Sequence, residues 1–492
     1  MNHLILAPIL IPAVVAPLVI LTSRFDQVLA RVFSVGATLL MLILGIFLFS
    51  SAFAGEVVEY RLGNWPAEFG IVLWLDRLSA TMILLSSILG FAVSLSALDG
   101  ADNQGRNFHS IFLMQLGGIN CAFLTADLFN LFVAFEVMLI ASYGLMVFGG
   151  GRERLRAGIQ FVVINLCGSS IFLIALGLIY AATGGLNMVD VGQKLNSLEP
   201  ANAGLASCGV ALLMIVFALK AGLFPFQFWL PTAYTHAPGL VAALFAIATK
   251  VGAYSILRVS SVLVLGNEAV LADWTMIWLL PTAIITIVIG MVGALASRSL
   301  AQMAAYATMA SSGTLMVAIS QPSLDTYVAG LYYIFHSTLA GAAMFLVVQA
   351  VSQLRPNLGS RLTVTAPLRG AGLIGGIYLV SAVAVAGMPP MSGFVGKLLI
   401  LKSVINTPWV VLIWTVILGT SLLAIFAFAR AGSTLFWKSS TVQEPIPCVT
   451  RFPVMTLIAC GFLLTVLIGL TLAAGWVIPL FHDVALQLLE RK

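Results

Sequence analysis

Glu136, Lys220 and Lys250 are ionisable residues set deep inside apolar runs: FNLFVAFEVMLIASYGL, LLMIVFALKAGLFPFQFWL and GLVAALFAIATKVGAYSIL. Lys397 occupies a fourth, AVAGMPPMSGFVGKLLILK. An ionised group at the centre of a membrane helix costs roughly 2.5–3.5 kcal/mol on insertion scales, so four in one chain call for a use beyond packing. Stripping water from an ammonium disfavours its charged form, and a nearby carboxylate opposes that. At 4 Å and an effective dielectric of 20 the attraction is about 4 kcal/mol. Moving a carboxylate such as Glu136 towards or away from Lys220 would therefore switch the lysine between holding and releasing a proton. A fixed Glu136–Lys220 ion pair that only orders the bundle is the plainer alternative, and the two further lysines without an obvious acidic partner weigh against it.

Imidazole passes protons in either direction near neutral pH, which adds His336, in YYIFHSTLAGA, and His236, in the short THAPG connection. Lys402 lies beyond Lys397 towards a helix end and can snorkel to the interface. Arg430 fits either a relay element or a buried structural donor. Asp76 and Arg77 read as a local feature at a helix start. Ser311, Ser312, Thr308, Ser337 and Thr338 could hold water, but small polar residues also serve helix packing. There is no P-loop, GxGxxG, nucleophile triad or metal-ligand spacing, so neither a cofactor nor a metal site is expected. Cys121, Cys167, Cys208, Cys448 and Cys460 lack paired spacing and read as small packing residues.

The elements that position these groups are set by composition. The 492 residues are 61% hydrophobic and 8% charged, against about 25% charged in a soluble domain, and the mean hydropathy is +1.08. This predicts an all-α polytopic membrane protein, and the net charge of +5 belongs to loop placement and not to nucleic acid. Apolar runs of the length a bilayer needs fall near 4–22, 31–53, 73–97, 109–126, 128–148, 158–182 and 203–230, then 235–262, 272–296, 301–320, 324–351, 368–404, 408–437 and 453–480, about fourteen in all. The first has no basic residues before it and reads as a retained helix. Segments 54–72, 183–202, 352–367 and 438–452 read as loops.

Odd-numbered connections hold Arg24, Arg31, Arg106, Arg152, Arg154, Arg156, Arg298, Arg355, Arg361, Arg369, Lys438 and Arg451. Even-numbered ones hold Arg61 and Lys194 with Glu56, Glu59, Glu68, Asp190, Glu199, Glu268, Asp273 and Asp325. The positive-inside rule then places odd connections in the cytoplasm and both termini outside. Pro225 and the Pro389–Pro390 pair should break spans seven and twelve. Breaks five spans apart are the pattern of two inverted five-helix repeats with a site at the discontinuous helices. The organisation expected is a three-helix segment at 1–108, repeats at 109–262 and 263–438, and a C-terminal helix and tail at 439–492.

FNLFVAFEVMLIASYGL, LKAGLFPFQFWLPTAYTHAP, ALFAIATKVGAYSILR and GMPPMSGFVGKLLILK resemble, in this order, the antiporter-like subunits shared by respiratory complex I, membrane-bound hydrogenases and Mrp-type multisubunit cation/proton antiporters. The resemblance spans nearly the whole chain. FEVMLIASY and Lys397 are most similar to the D-type subunits of Mrp antiporters; M-type subunits of complex I usually carry glutamate at the Lys397 position, whereas N-type subunits also carry lysine. The resemblance implies fourteen helices, inverted repeats and a hydrated polar axis at mid-membrane. Glu136 and Lys220 would be the charged pair of the uptake half-channel, Lys250 and His336 central relay groups, and Lys397 the terminal lysine. It also implies partner subunits of an Mrp-type complex, membrane lipid around the chain, protons and Na+ or K+ as cargo, and a multi-pass position in the bacterial cytoplasmic (inner) membrane. A proton-pumping subunit of a complex I-like NADH:quinone oxidoreductase or hydrogenase is the alternative within the family. An autonomous solute carrier and a structural scaffold are the alternatives outside it.

Overall fold

The computed structural model describes residues 2–22, 26–55, 57–66, 70–196, 198, 200–264, 272–438 and 452–490. Arg24, Glu56, Glu68, Glu199, Glu268, Arg451 and Cys448 lie outside the described residues. The chain is built from helices α1 (Ala7–Thr22), α2 (Gln27–Ala54), α3 (Arg77–Ala97), α4 (Phe108–Leu124), α5 (Leu128–Met146) and α6 (Arg152–Thr183). There follow α7 (Met188–Leu195), α8 (Pro200–Ala221), α9 (Trp229–His236), α10 (Gly239–Val259), α11 (Ala272–Ala296) and α12 (Leu300–Ile319). The last third supplies α13 (Leu324–Leu354), α14 (Ala371–Ala386), α15 (Ser392–Ser403), α16 (Val410–Gly432), α17 (Val454–Leu472) and α18 (Ala474–Leu489). Among the described residues eleven helices are long and apolar enough to cross a membrane, each meeting the ~20-residue requirement.

Burial separates centre from rim. The apolar windows of α10 and α13 are each 94% buried, whereas those of α1 and α16 are 28% buried. A helix apolar on all sides belongs in the middle of a bundle, and α10 and α13 are the helices that carry Lys250 and His336.

Both interrupted spans stop the same way. Gly222 adopts φ +71° and Gly387 φ +78°, a left-handed conformation that glycine takes without a Cβ penalty. The amide of Leu223 bonds Ala218 O at 3.0 Å, and that of Met388 bonds Val383 O at 3.1 Å, the glycine-terminated helix end known as a Schellman motif. The expected breaks at Pro225 and Pro390 therefore fall three residues earlier, at the glycine, and α8 ends directly after Lys220. Backbone groups freed in the first gap find partners, as a membrane interior requires: Phe224 N–H bonds Thr286 Oγ1 at 2.8 Å, and Trp229 Nε1 bonds Leu219 O at 3.0 Å.

Four expected boundaries differ. Residues 54–72, expected as a loop, contain strand β1 (Val58–Arg61), which pairs antiparallel with β2 (Val72–Leu75), Val58 facing Leu75. The run expected as span 73–97 becomes helical only at Arg77, because Asp76 accepts from Ser79 N–H while the Ser79 hydroxyl accepts from Asp76 N–H, a reciprocal cap. The loop 183–202 contains α7, capped by Asn187. The last span, expected over 453–480, divides at Ala473. There α18 buries Phe481, Val484, Ala485 and Leu488, a stripe at i, i+3, i+4 and i+7, and Asp483 O and Gln487 Oε1 hold Arg77.

Contacts between connections sort the bundle into two ends. At one end Arg31 of α2 meets Asp102, which precedes α4. Arg154 at the start of α6 meets His236 O at the end of α9. Ser299 bridges Arg361, and Asp99 accepts from Thr456 N–H at the start of α17. At the other end Leu73 bridges Thr125, Asp127 bridges Asn187, and α3 meets α18 through Arg77.

Candidate functional site: a chain of buried lysines

Lys220 sits in the last turn of α8, where the carbonyl end of a helix favours a cation. It is 4% exposed. Its Nζ donates to Asn165 Oδ1 at 3.0 Å, and Asn165 Nδ2 is tied to Phe161 O at 2.8 Å, which turns the acceptor end of the amide towards the lysine. Phe135 of α5 places its ring centroid 5.9 Å from Nζ, within the range for a cation over an aromatic face. Glu136, the next residue, acts on Lys220 through its charge. Its Oε1 is buried without a hydrogen-bond partner among the described residues. Lys220 thus rests on a neutral amide, and the fixed Glu136–Lys220 ion pair, the plainer alternative, is not formed.

Lys250 on α10 is fully buried. Its Nζ donates to Ser311 Oγ at 3.1 Å and Ser312 Oγ at 3.2 Å. Both serines donate their own hydrogens back to Thr308 O, so their lone pairs face the ammonium. Two residues along α10, Gly252 packs against α8 so closely that a Cβ would lie 2.6 Å from Ala221 N and 2.9 Å from the carbonyl carbon of Lys220. The Lys250 and Lys220 sites are therefore neighbours across a helix crossing that only glycine permits.

A cavity of ≈ 20 Å³ lies between α12 and α13, lined by Thr308, Ser311, His336 and Ser337 among others; it has room for about one water. His336 is 2% exposed, pairs through Nδ1 with Ser392 Oγ at 2.9 Å, and lies within electrostatic reach of both Lys250 and Lys397. Lys397, half-buried on α15, donates to Ala386 O and to Ser421 Oγ, each at 2.8 Å. Ala386 O is one of the carbonyls that every helix end leaves unpaired, exposed here by the Gly387 break. Ser421 gives its hydrogen to Ile417 O and so accepts from the lysine. The second interruption thus makes the acceptor that holds Lys397.

The remaining sequence candidates lie apart. His236 ends α9 with Nδ1 on Thr232 O at 2.9 Å. Lys402 is exposed in the last turn of α15. Arg430 is exposed towards the end of α16, where Nη2 donates to Ser297 O at 2.9 Å. Asp76 is more than a local cap: Arg258 of α10, 1% exposed, binds it with two nitrogens, the Nη2–Oδ1 contact being 2.9 Å. Arg258, Asn165, Ser392 and Ser421 escaped the sequence analysis. An arginine at position 258, eight residues past Lys250 inside an apolar run, was the available signal for the first; the other three are common helix residues with none. Asp102 also joins Arg31 and His109, the Arg31 Nη2–Oδ1 bond being 2.8 Å and the His109 Nε2–Oδ2 contact 3.2 Å. Burial alone would push the Asp102 carboxyl up, but hydrogen bonds from His109 and Arg31 prevail and hold it below the ordinary carboxylate value.

Residues 125–423, which include every lysine of the chain just described, match the family described as NADH:quinone oxidoreductase/Mrp antiporter, TM. The sequence is 38% identical to the D subunit of a probable K(+)/H(+) antiporter of Rhizobium meliloti, over 94% of its length and 92% of the relative's. It is 32% identical to the D subunit of the Na(+)/H(+) antiporter of Bacillus subtilis, over 100% and 98%. Its fold matches a chain of the Mrp complex from a Dietzia species with a TM-score of 0.87 at 22% identity, covering 100% of this chain and 98% of that one. A chain of respiratory complex I from Thermus thermophilus matches with a TM-score of 0.80 at 22% identity, covering 99% of each. On the family match and these full-length similarities, the chain belongs to the NADH:quinone oxidoreductase/Mrp antiporter family of membrane subunits.

Proposed function

We propose that the chain is the D-type, proton-conducting subunit of a multisubunit Na+ or K+/proton antiporter. Protons pass along Glu136, Lys220, Lys250, His336 and Lys397 and the water between them. The observation that carries this is the choice of partners. Two structural arginines of the bundle are paired with opposite charge, Arg258 with Asp76 and Arg31 with Asp102. The three central lysines instead rest on neutral acceptors: an amide, two serines, and a serine with a helix-end carbonyl. An amine held this way can give up its proton without leaving an orphaned buried anion, whose cost would otherwise be severe. A scaffold would use fixed pairs. The names of full-length relatives, the D subunits of one K(+)/H(+) and one Na(+)/H(+) antiporter, support a transporter role within a complex over catalysis; complex I subunits share the fold.

The repeats at 109–262 and 263–438 are part of this reading. They are supported by the paired Gly222 and Gly387 helix ends and by corresponding packing, α4 on α5 as α11 on α12. The end of the bundle that bears Arg31, Arg154, Arg298 and Arg361 is assigned to the cytoplasm of a bacterial inner membrane, which leaves both termini outside. The test is cation-dependent pH relaxation in everted vesicles carrying the whole complex. Glu136→Ala and Lys220→Ala should each abolish it while the complex still assembles, and this chain expressed alone should not transport. Antiport intact in both variants would identify a scaffold.

A further inference from the structure

We propose that a cleft at the Arg298 end of the bundle is a binding site for one anionic phospholipid, its phosphate seated on Arg298, Arg361 and Arg430. The three arginines come from segments far apart in sequence and are brought together by backbone pairing. Leu300 N–H bonds Ser360 O at 2.8 Å and Leu362 N–H bonds Arg298 O at 2.9 Å, so the α11–α12 connection and the segment after α13 run as a short antiparallel bridge, with Ser299 opposite Arg361. Arg355, 7% exposed, braces that bridge from beneath, donating to Arg361 O at 2.9 Å and to Thr363 O and Oγ1 at 3.1 and 2.9 Å. Arg430 closes the third side through its bond to Ser297 O.

Among the described residues, those lining this cleft include three arginines, serines and threonines and no carboxylate. Three guanidinium groups around one opening repel each other and focus positive potential there, and their fork geometry suits phosphate. The apolar surface leading away from the cleft selects lipid over free phosphate. α11 and α16 pack side by side. α11 exposes Ile285, Val288 and Val292 by 38–51%, and α16 exposes Leu418, Leu422 and Phe426 by 52–57%. These are helical stripes at spacings of three and four residues; that of α16 ends about one turn before Arg430, and that of α11 just under two turns before Arg298. A headgroup held by arginine above two apolar lanes is the arrangement that basic pockets at the cytoplasmic membrane face offer to acidic lipids. This goes beyond proton conduction and does not depend on it.

The experiment uses the purified, delipidated whole complex in detergent, titrated with a fluorescent phosphatidylglycerol, with unlabelled phosphatidylglycerol, phosphatidylcholine or inorganic phosphate as competitor. The expected result is saturable binding displaced by phosphatidylglycerol alone, weakened at least ~tenfold by Arg298→Gln with Arg361→Gln, since two charge-assisted contacts are lost. If the double variant fails to assemble, Arg361→Gln alone is read in the same titration, where at least ~threefold weakening is expected. Equal affinity in wild type and variant, or equal displacement by phosphatidylcholine, would overturn the proposal. Displacement by millimolar inorganic phosphate as effective as by the lipid would assign the cleft to a free anion and overturn it as a lipid site.

Discussion

Gly387→Ala should disable the chain through Lys397, although the two positions are ten residues apart in sequence. A Cβ at position 387 would lie 2.8 Å from Lys397 Cδ and 2.9 Å from its Cε and Nζ, distances that real Cβ contacts do not reach. The left-handed backbone at φ +78° adds about 1–2 kcal/mol for any residue with a Cβ. The flexible lysine chain must shift to relieve the contact, which weakens its bonds to Ala386 O and Ser421 Oγ, each worth about 1.5–3 kcal/mol for a charged donor. The total is at most about 4–8 kcal/mol when Lys397 is present and only the backbone share when it is not. The assay is a double-mutant cycle on the thermal stability of the detergent-purified complex, with antiport in everted vesicles in parallel. Gly387→Ala alone should be strongly destabilised and transport-dead. In a Lys397→Ala background the same change should cost only about 1–2 kcal/mol, a large coupling of the kind seen between residues in contact. Gly376→Ala, on the same helix with nothing within 4 Å of the new Cβ, should be neutral. Additive costs in the cycle, or wild-type antiport in Gly387→Ala, would refute the coupling between the helix break and the lysine.

Asn165→Ala removes the side-chain acceptor of Lys220 and should slow antiport by roughly ten- to a hundredfold, from a charged hydrogen bond of about 1.5–3 kcal/mol, measured as the initial rate of pH relaxation. Asn165→Asp should be as slow, because a fixed anion at 3.0 Å pins the proton; rates near wild type would argue against the neutral-acceptor principle. Gly252→Ala should destabilise the complex by about 1–3 kcal/mol through overpacking against Ala221 N, read as a lowered unfolding midpoint. At the bundle's arginine-rich end, Asp102 titrates below the ordinary 3.8, so its stabilisation is full above that pH and is lost as pH falls through the lower folded value. Unfolding midpoints taken downward from about pH 5 should show that loss in wild type, and Asp102→Asn should lack this component.

The lysines, Glu136 and the two interruptions were legible because hydrophobic surroundings make an isolated charge or proline conspicuous. What escaped follows from what a linear pattern omits. Proline marked each interruption, yet the helix stopped at Gly222 and Gly387, because the left-handed cap acts before the proline is reached. Nothing in the sequence marks Asn165, an unremarkable residue of α6, as the partner of Lys220, because only tertiary packing assigns that contact. Arg258 was hidden by its partner, since Asp76 precedes it by most of two hundred residues. The first strand and α7 read as loops, and the second strand as the start of a span, because a four-residue strand and an eight-residue helix are too short to show a period.

The most direct measurement compares Lys250→Arg with Lys250→Ala in vesicles carrying the assembled complex. Arginine keeps the positive charge and can reach Ser311 and Ser312, but it does not release a proton. A relay through Lys250 requires cation-dependent pH relaxation to be lost equally in both variants. Antiport at the wild-type rate in Lys250→Arg would mean that charge alone is needed there, and proton passage through the lysine chain would be contradicted.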